Sequence, residues 1–197
     1  DPKGEAIPMA MVTLRASMPG WITDAAPGVL TDANGVYEFL AAPAQRQDFT
    51  YRLEVNASGH GPAGLRNLPF DAAQDRQVNV ETVVLPIADR SISGVVIDAN
   101  GAPAPGQPIF ITGPRGSDTA GQPRIRTVSD EQGRFTADGV CAGPLRIQAG
   151  WGGSKPGMLD AQGGDRDVKV ILGREGVHTE TKSLLGRPLP DMGALLD

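Results

Sequence analysis

The sequence predicts an all-β chain made of two tandem antiparallel β-sandwiches. Three observations lead to this prediction. Short segments alternate apolar and polar residues with a period of two, turn sequences rich in Asp, Asn and Gly separate them, and one pattern occurs twice at an offset of 97 residues. A chain of 197 residues is long enough for two domains of ordinary size, and its 26 glycines and 17 prolines agree with many turns.

The predicted strands follow in chain order, three in the first half of the chain and four in the second. Each has one apolar and one polar face, which is typical of a half-buried strand. Helical spacing is weak, and the best helical candidate is the short tail near Met192–Leu196. The predicted strands are Met11–Ala16, Tyr51–Ala57, Val78–Leu85, Ser91–Ile97, Ile109–Thr112, Leu145–Ala149 and Val168–Leu172.

Turns with an Asp at the start and a Gly at the end separate these strands. "DANG" occurs at Asp32–Gly35 and Asp98–Gly101, and "DEQG" occurs at Asp130–Gly133. The Asp side chain caps such a turn, and the Gly supplies a positive φ. Oxygen ligands for calcium are an alternative role, but the further ligands of a calcium loop are missing. We therefore predict tight turns.

The repeat extends beyond the turns. Asp1, Gly4 and Pro8 align with Asp98, Gly101 and Pro105, and the second copy begins one strand earlier, at Ser91. We expect two sandwich domains at residues 1–88 and 89–176 and a linker at 177–197. We also expect that the chain is a fragment of a longer protein and that the first unit lacks its opening strand. A sheet without that strand would offer unpaired backbone groups to a neighbouring segment.

The repeated motifs resemble the carboxypeptidase regulatory-like domain. The resemblance is carried by "SGVVIDANGAPAPGQPIFI", "TVSDEQGRF" and "GPLRIQA" in the second copy, with a departure at Gln107, where the family usually has Ala. It implies a transthyretin-like, Ig-like β-sandwich of about seven strands. It also implies a non-catalytic module that binds, spaces or docks a partner domain in an exported bacterial protein, in the periplasm or at the cell surface.

The tail "SLLGRPLPDMGALLD" at Ser183–Asp197 resembles the segment that leads into a thioredoxin-like (redoxin) domain. The matching residues are Leu185, Gly186, Pro188, Pro190 and Asp191. A proline-rich linker at the end of a β domain is the alternative interpretation.

Residues able to perform chemistry are few and scattered. Cys141 is the only cysteine, so no disulfide forms within the chain, and neither His60 nor His178 has a partner at metal-ligand spacing. We expect no catalytic residue, no metal site and no cofactor. The net charge of −5 without a basic cluster disfavours nucleic acid, and no apolar run is long enough to span a membrane.

Two tryptophans are the candidate ligand-binding residues. Trp21 and Trp151 both lie next to glycine in expected loops, where a flat aromatic face could stack on a sugar. The alternative, which we favour, is that each tryptophan closes one end of its sandwich core.

The sequence thus supports a non-enzymatic spacer or docking module whose partners are other domains of the same polypeptide. Two alternatives stay open. One is a module that binds a polysaccharide, peptide or protein through Trp21 or Trp151, and the other is a regulatory domain of an attached redoxin or peptidase.

Overall fold

A computed structural model describes residues 1–40, 49–68, 77–114, 121–150 and 156–173. Across these ranges every regular element is a β-strand, and no helix long and apolar enough to cross a membrane occurs in them. The fold is an all-β sandwich fold, as the alternating pattern predicts. The expected linker at 177–197, with its candidate helix and its redoxin-like motif, lies outside the described residues.

The first half of the chain forms one antiparallel sheet, with the order β2-β1-β4-β5 and with β3 also paired to β1. Residue alternation directs Val12, Leu14 and Ala16 of one central strand to the core, opposite Tyr51, Leu53 and Val55 of the other. The strands are β1 (Met11–Met18), β2 (Trp21–Asp24), β3 (Val29–Leu30), β4 (Thr50–Asn56) and β5 (Ala63–Arg66).

The second half contains two sheets, with the orders β11-β10-β7-β8 and β12-β6-β9. All pairs are antiparallel except β6 with β12, which is parallel and departs from the purely antiparallel arrangement that the sequence predicts. The strands are β6 (Arg90–Ile97), β7 (Pro108–Thr112), β8 (Ile125–Val128), β9 (Arg134–Val140), β10 (Pro144–Ala149), β11 (Gly157–Gln162) and β12 (Val168–Ile171).

Buried apolar side chains form two clusters that share no residue. The first runs from Ala10 to Leu85 and the second from Ile92 to Leu172. The second cluster joins side chains of both C-terminal sheets, for example Ile92 of β6 and Ile147 of β10. Burying a side chain of this size stabilises the fold by about 1.5–3 kcal/mol, so these clusters are the main source of stability.

Four aspartates build the same turn at corresponding places in the two halves. The carboxylate of each accepts backbone N–H groups two and four residues later, at 2.7–2.9 Å. A glycine three residues on has a positive φ, where other residues are strained. The turns confirm the predicted tight-turn role of these sequences. The four aspartates are Asp1, Asp32, Asp98 and Asp130.

A buried hydroxyl provides a second correspondence between the halves. Thr31 Oγ1 donates to the Ile7 carbonyl and accepts from the Ala10 N–H, at 2.6 and 2.9 Å. Ser129 Oγ makes the same two bonds to Ala104 and Gln107, at 2.8 and 2.9 Å. In both halves the hydroxyl is hydrogen-bonded to two backbone groups of the segment that leads into a central strand.

The predicted strands differ from the observed ones in two ways. Residues 78–86 belong to no strand, although the valine pattern predicts one at Val78–Leu85. Conversely, the sequence predicts no strand at β2, β3, β8 or β9, and it predicts none at the glycine-containing strands β5 and β11. In both strands the glycines lie where a neighbouring backbone comes close: a Cβ on Gly64 would be 2.1 Å from the Leu53 carbonyl oxygen, and one on Gly157 would be 2.5 Å from that of Ile171.

Candidate functional site

The segment that connects the two halves is paired with a loop of the first half. Gly61 N–H donates to the Pro86 carbonyl at 2.8 Å, and Ala88 N–H donates to the Gly59 carbonyl at 2.9 Å. His60 and Ile87 lie opposite each other in a bridge between these two bonds. The connecting segment is therefore hydrogen-bonded to the first half at Pro86 and Ala88.

The second half is attached to the same place. Gly121 N–H donates to the Pro62 carbonyl at 2.7 Å, and the Cys141 Sγ lies 3.6 Å from the Pro86 carbonyl oxygen. We call the contact formed by Gly61, Pro62, Pro86, Gly121 and Cys141 the junction. It joins a loop of the first half, the connecting segment and two loops of the second half.

Gln122 stabilises the second half's side of the junction. Its side chain is buried, its Oε1 accepts from the Cys141 N–H at 2.7 Å, and its Nε2 donates to the Cys141 carbonyl at 2.9 Å. The amide thus mimics a strand neighbour and satisfies two backbone groups that would be expensive to bury unpaired. Sequence reasoning missed Gln122, because nothing in its local pattern distinguishes it from a glutamine in an exposed loop.

Gly61 allows the two halves to come this close. A Cβ at this position would lie 2.1 Å from the Gly121 carbonyl oxygen and 2.7 Å from Cys141 Sγ. Both distances are far below van der Waals contact, so any larger residue would force the junction apart. By contrast, a Cβ on Gly121 would meet its nearest neighbour, Pro62, at 3.5 Å, which is ordinary contact.

A recess of about 110 Å³ lies beside the junction. It is much smaller than the roughly 300–1,000 Å³ of a typical small-molecule site. Among its lining residues only Gln122 and Cys141 carry polar side-chain atoms, and both make hydrogen bonds within the fold. The lining residues are Pro86, Pro114, Gly121, Gln122, Cys141, Ala142 and Pro144.

The Cys141 thiol is shielded from solvent, with 1% of its surface exposed. Burial raises its pKa, a hydrogen bond from the Gly61 backbone lowers it, and the Asp89 carboxylate raises it further. A thiol with a raised pKa is a poor nucleophile. Its environment is that of a small buried side chain with a structural role.

The histidines do not form a site within the described part of the chain. The His60 Nδ1 lies 2.9 Å from the Ser58 carbonyl oxygen, a local loop contact. Across the described ranges, no group of three or more His, Cys, Asp or Glu side chains could hold a metal ion. His178 lies outside these ranges.

Trp21 begins strand β2, at the tip of the hairpin with β1, and not in a loop as the sequence suggests. It lies opposite Met18 and is 54% exposed, so it does not close the end of a sandwich core, which corrects the interpretation that the sequence favours. Ile22, on the other face of the same tip, is 51% exposed. Trp151 lies outside the described residues.

No family model matches the chain, and no curated protein matches it. The likeness to the carboxypeptidase regulatory-like domain therefore stays a resemblance of motifs.

Several solved structures are distantly similar. A streptococcal ancillary pilin is 13% identical, with a TM-score of 0.40, over 84% of this chain and 57% of the pilin. The shaft pilin SpaA from Lactobacillus rhamnosus GG is 15% identical, with a TM-score of 0.32, over 87% of this chain and 89% of the pilin. The Bacillus anthracis TIE protein is 14% identical, with a TM-score of 0.29, over 84% of this chain and 30% of that protein. At these scores the similarity identifies neither a family nor a function for this chain.

Proposed function

We propose that this chain is a non-catalytic structural module, in which two β-sandwich domains at residues 1–88 and 89–176 act together as a spacer or docking unit. The single observation that supports the proposal most directly is the junction, where both halves and the connecting segment share hydrogen bonds and close packing. A spacer needs such a contact, because a flexible connection would not hold its neighbours at a set distance.

The chemistry of the described residues supports a non-enzymatic role. Cys141 is buried with a raised pKa, and the turn aspartates use their carboxylates on backbone N–H groups. These groups are engaged in holding the fold together. Catalytic sites instead bring reactive groups together in a cleft.

The partners that we propose are other domains of the same polypeptide, among them a redoxin or peptidase that this module would dock or regulate. We also propose an exported bacterial protein, located in the periplasm or at the cell surface. The motif resemblance supports this location, and a chain with one buried cysteine is compatible with it.

The junction can be tested with a matched pair of glycine variants. We expect Gly61→Ala to separate the two halves, because its Cβ would overlap the Gly121 carbonyl and the Cys141 thiol. We expect Gly121→Ala to leave the junction intact. Cys141 is an internal probe, and its rate of labelling by a disulfide reagent should rise at least tenfold in Gly61→Ala alone.

A second measurement separates loss of the junction from loss of folding. Circular dichroism should show native β-structure in both variants, while ¹⁵N relaxation should show independent tumbling of the halves only in Gly61→Ala. Equal labelling rates and a single tumbling time in folded wild type and folded Gly61→Ala would contradict the proposal.

The exposed Trp21 supports a second candidate function, binding of a polysaccharide, peptide or protein at the β1–β2 tip. This candidate predicts a saturable change in fluorescence when polysaccharides are added, and its loss in Trp21→Ala. Trp151→Ala is the matched control that reports whether the other tryptophan contributes. A flat titration with every polysaccharide would remove carbohydrate from the list of ligands.

A further inference from the structure

The segment after the Asp32 turn corresponds to strand β9, which follows the Asp130 turn. In both, alternate residues face the core: Tyr37 and Phe39 pack against the first cluster, and Phe135 belongs to the second. Phe135 is only 4% exposed, whereas Tyr37 and Phe39 are half-buried. Strand β9 is paired with β6, but residues 36–40 lie in no strand.

Two of the three outer side chains of this segment are large and apolar, with Glu38 between them. Val36 is 60% exposed and Leu40 is 91% exposed, while their counterparts in β9 are the charged residues Arg134 and Asp138. Exposed large apolar side chains on a segment that is in no strand favour a surface that accepts a partner.

The glycine of each turn shows what differs between the halves. A Cβ on Gly133 would meet the Val96 carbonyl of β6 at 2.5 Å and the Ala104 nitrogen at 3.0 Å. A Cβ on Gly35 would lie 3.3 Å from the nitrogen of Ile7, the residue that corresponds to Ala104. The nearest atoms to this Cβ include none from a residue that corresponds to Val96.

The hydrogen bonds around these glycines differ in the same way. Val96 donates to the Gly133 carbonyl at 2.7 Å and accepts from the Ala104 N–H at 2.9 Å. Among the residues that the structure describes, the Gly35 carbonyl and the Ile7 N–H have no hydrogen-bond partner. One donor and one acceptor are therefore available in the positions where β6 binds in the second half.

The counterpart of the other neighbour of β6 also lies in no strand among the described residues. Strand β12 runs parallel to β6, and the repeat aligns it with the valine-rich segment at 78–85. In that segment Val80 and Val83 pack against the first cluster and Leu85 is buried, yet residues 78–86 are in no strand. In the other segment, the hydroxyl of Tyr37 is buried and has no hydrogen-bond partner among the described residues.

We propose that the first half of the chain accepts one additional β-strand, inserted between residues 36–40 and 78–85 and running directly into Asp1. The occupant is an extended segment with the pattern of β6: branched apolar residues at the positions of Ile92 and Val96, and a glycine between them at the position of Gly94.

The direction of this strand follows from Asp1. The Asp1 amino group donates to the Glu5 carbonyl at 2.8 Å, just as the Asp98 N–H donates to the Ala102 carbonyl at 2.8 Å. In the second half the residue before Asp98 is Ile97, the last residue of β6. A strand joined to the Asp1 nitrogen is thus placed to run antiparallel to residues 36–40, as β6 does to β9.

The test extends the full chain by eight residues. A copy of the β6 sequence RSISGVVI is joined to Asp1, and a control extension carries aspartate at the two positions that copy Ile92 and Val96. We expect the copy to slow amide hydrogen exchange at residues 36–40 and 80–85 by at least tenfold relative to the unextended chain. The control extension should leave exchange there unchanged.

Two outcomes would overturn the proposal. One is equal protection by both extensions, which would show that no specific strand position exists. The other is protection of residues 36–40 in the unextended chain that rises with protein concentration together with dimer formation, which would make a second copy the occupant. Neither outcome depends on the junction, so the spacer function is tested separately.

Discussion

At the scale of single residues, the two halves have different amino acids at one position with a left-handed backbone, which is Met9 in the first half. Met9 has a φ of 59°, and its counterpart Gly106 has a φ of 67°. The Met9 N–H donates to the backbone carbonyl of Thr31, and the Gly106 N–H donates to that of Ser129, both at 3.0 Å. A left-handed backbone is strained for methionine and free of strain for glycine.

We therefore expect Met9→Gly to stabilise the chain. Relief of strain outweighs the added freedom of the unfolded chain, and the net gain in the free energy of unfolding should be about 1 kcal/mol. Urea denaturation measures it. Met9→Ala is the matched control: the side chain is 69% exposed, so its removal without relief of strain should change little. Equal stability of the glycine and alanine variants would contradict this explanation.

At the scale of elements, the parallel pair β6–β12 depends on a residue without a side chain. A Cβ on Gly94 would lie 2.1 Å from the Val168 carbonyl oxygen and 2.6 Å from Val168 Cγ2. The strands can approach to hydrogen-bonding distance because Gly94 offers only backbone there.

Gly94→Ala should push β12 away from β6 and lower the free energy of unfolding by about 1–3 kcal/mol, as overpacking in a core does. Hydrogen exchange should increase first at Val168–Ile171. Ser93→Ala, the neighbouring position on the same strand, should change stability by about 0.5 kcal/mol or less. If both variants have the same stability, the close approach is not a constraint.

The elements also show how far sequence patterns reach. Alternation correctly predicts β1, β4, β6, β7, β10 and β12, because each has one face on a core. It is wrong for residues 78–86, where the alternation exists but the described residues form no strand. A strand is defined by its partner as much as by its own residues, and the partner is remote in sequence.

At the scale of the whole molecule, two ionisable groups, the buried Cys141 and the half-buried Tyr37, link folding to alkaline pH. Burial raises the pKa of the Cys141 thiol above its usual 9.0 and the pKa of the Tyr37 phenol above its usual 10.0. The folded state thus holds these protons more tightly than the unfolded state. This contribution to stability is fully present below the unfolded pKa values and is lost as the pH rises through the folded ones.

The free energy of unfolding should therefore be flat near neutral pH and fall above about pH 9. Cys141→Ala combined with Tyr37→Phe should remove this pH-dependent loss from the urea midpoints. Tyr37→Phe alone should leave stability at neutral pH equal or higher, since it removes a buried hydroxyl without a partner among the described residues. An unchanged alkaline slope in the double variant would contradict this assignment.

The sequence by itself determined the all-β class, six of the twelve strands that the structure describes and the four aspartate turns, because each is encoded in residues close together in the chain. Only the tertiary structure decided the junction, the role of Gln122, the parallel β6–β12 pair and the lack of a strand at residues 36–40 and 78–86 among the described residues. These features depend on which backbone groups meet across long sequence distances. A local pattern shows that a segment can pair, but not whether a partner lies beside it.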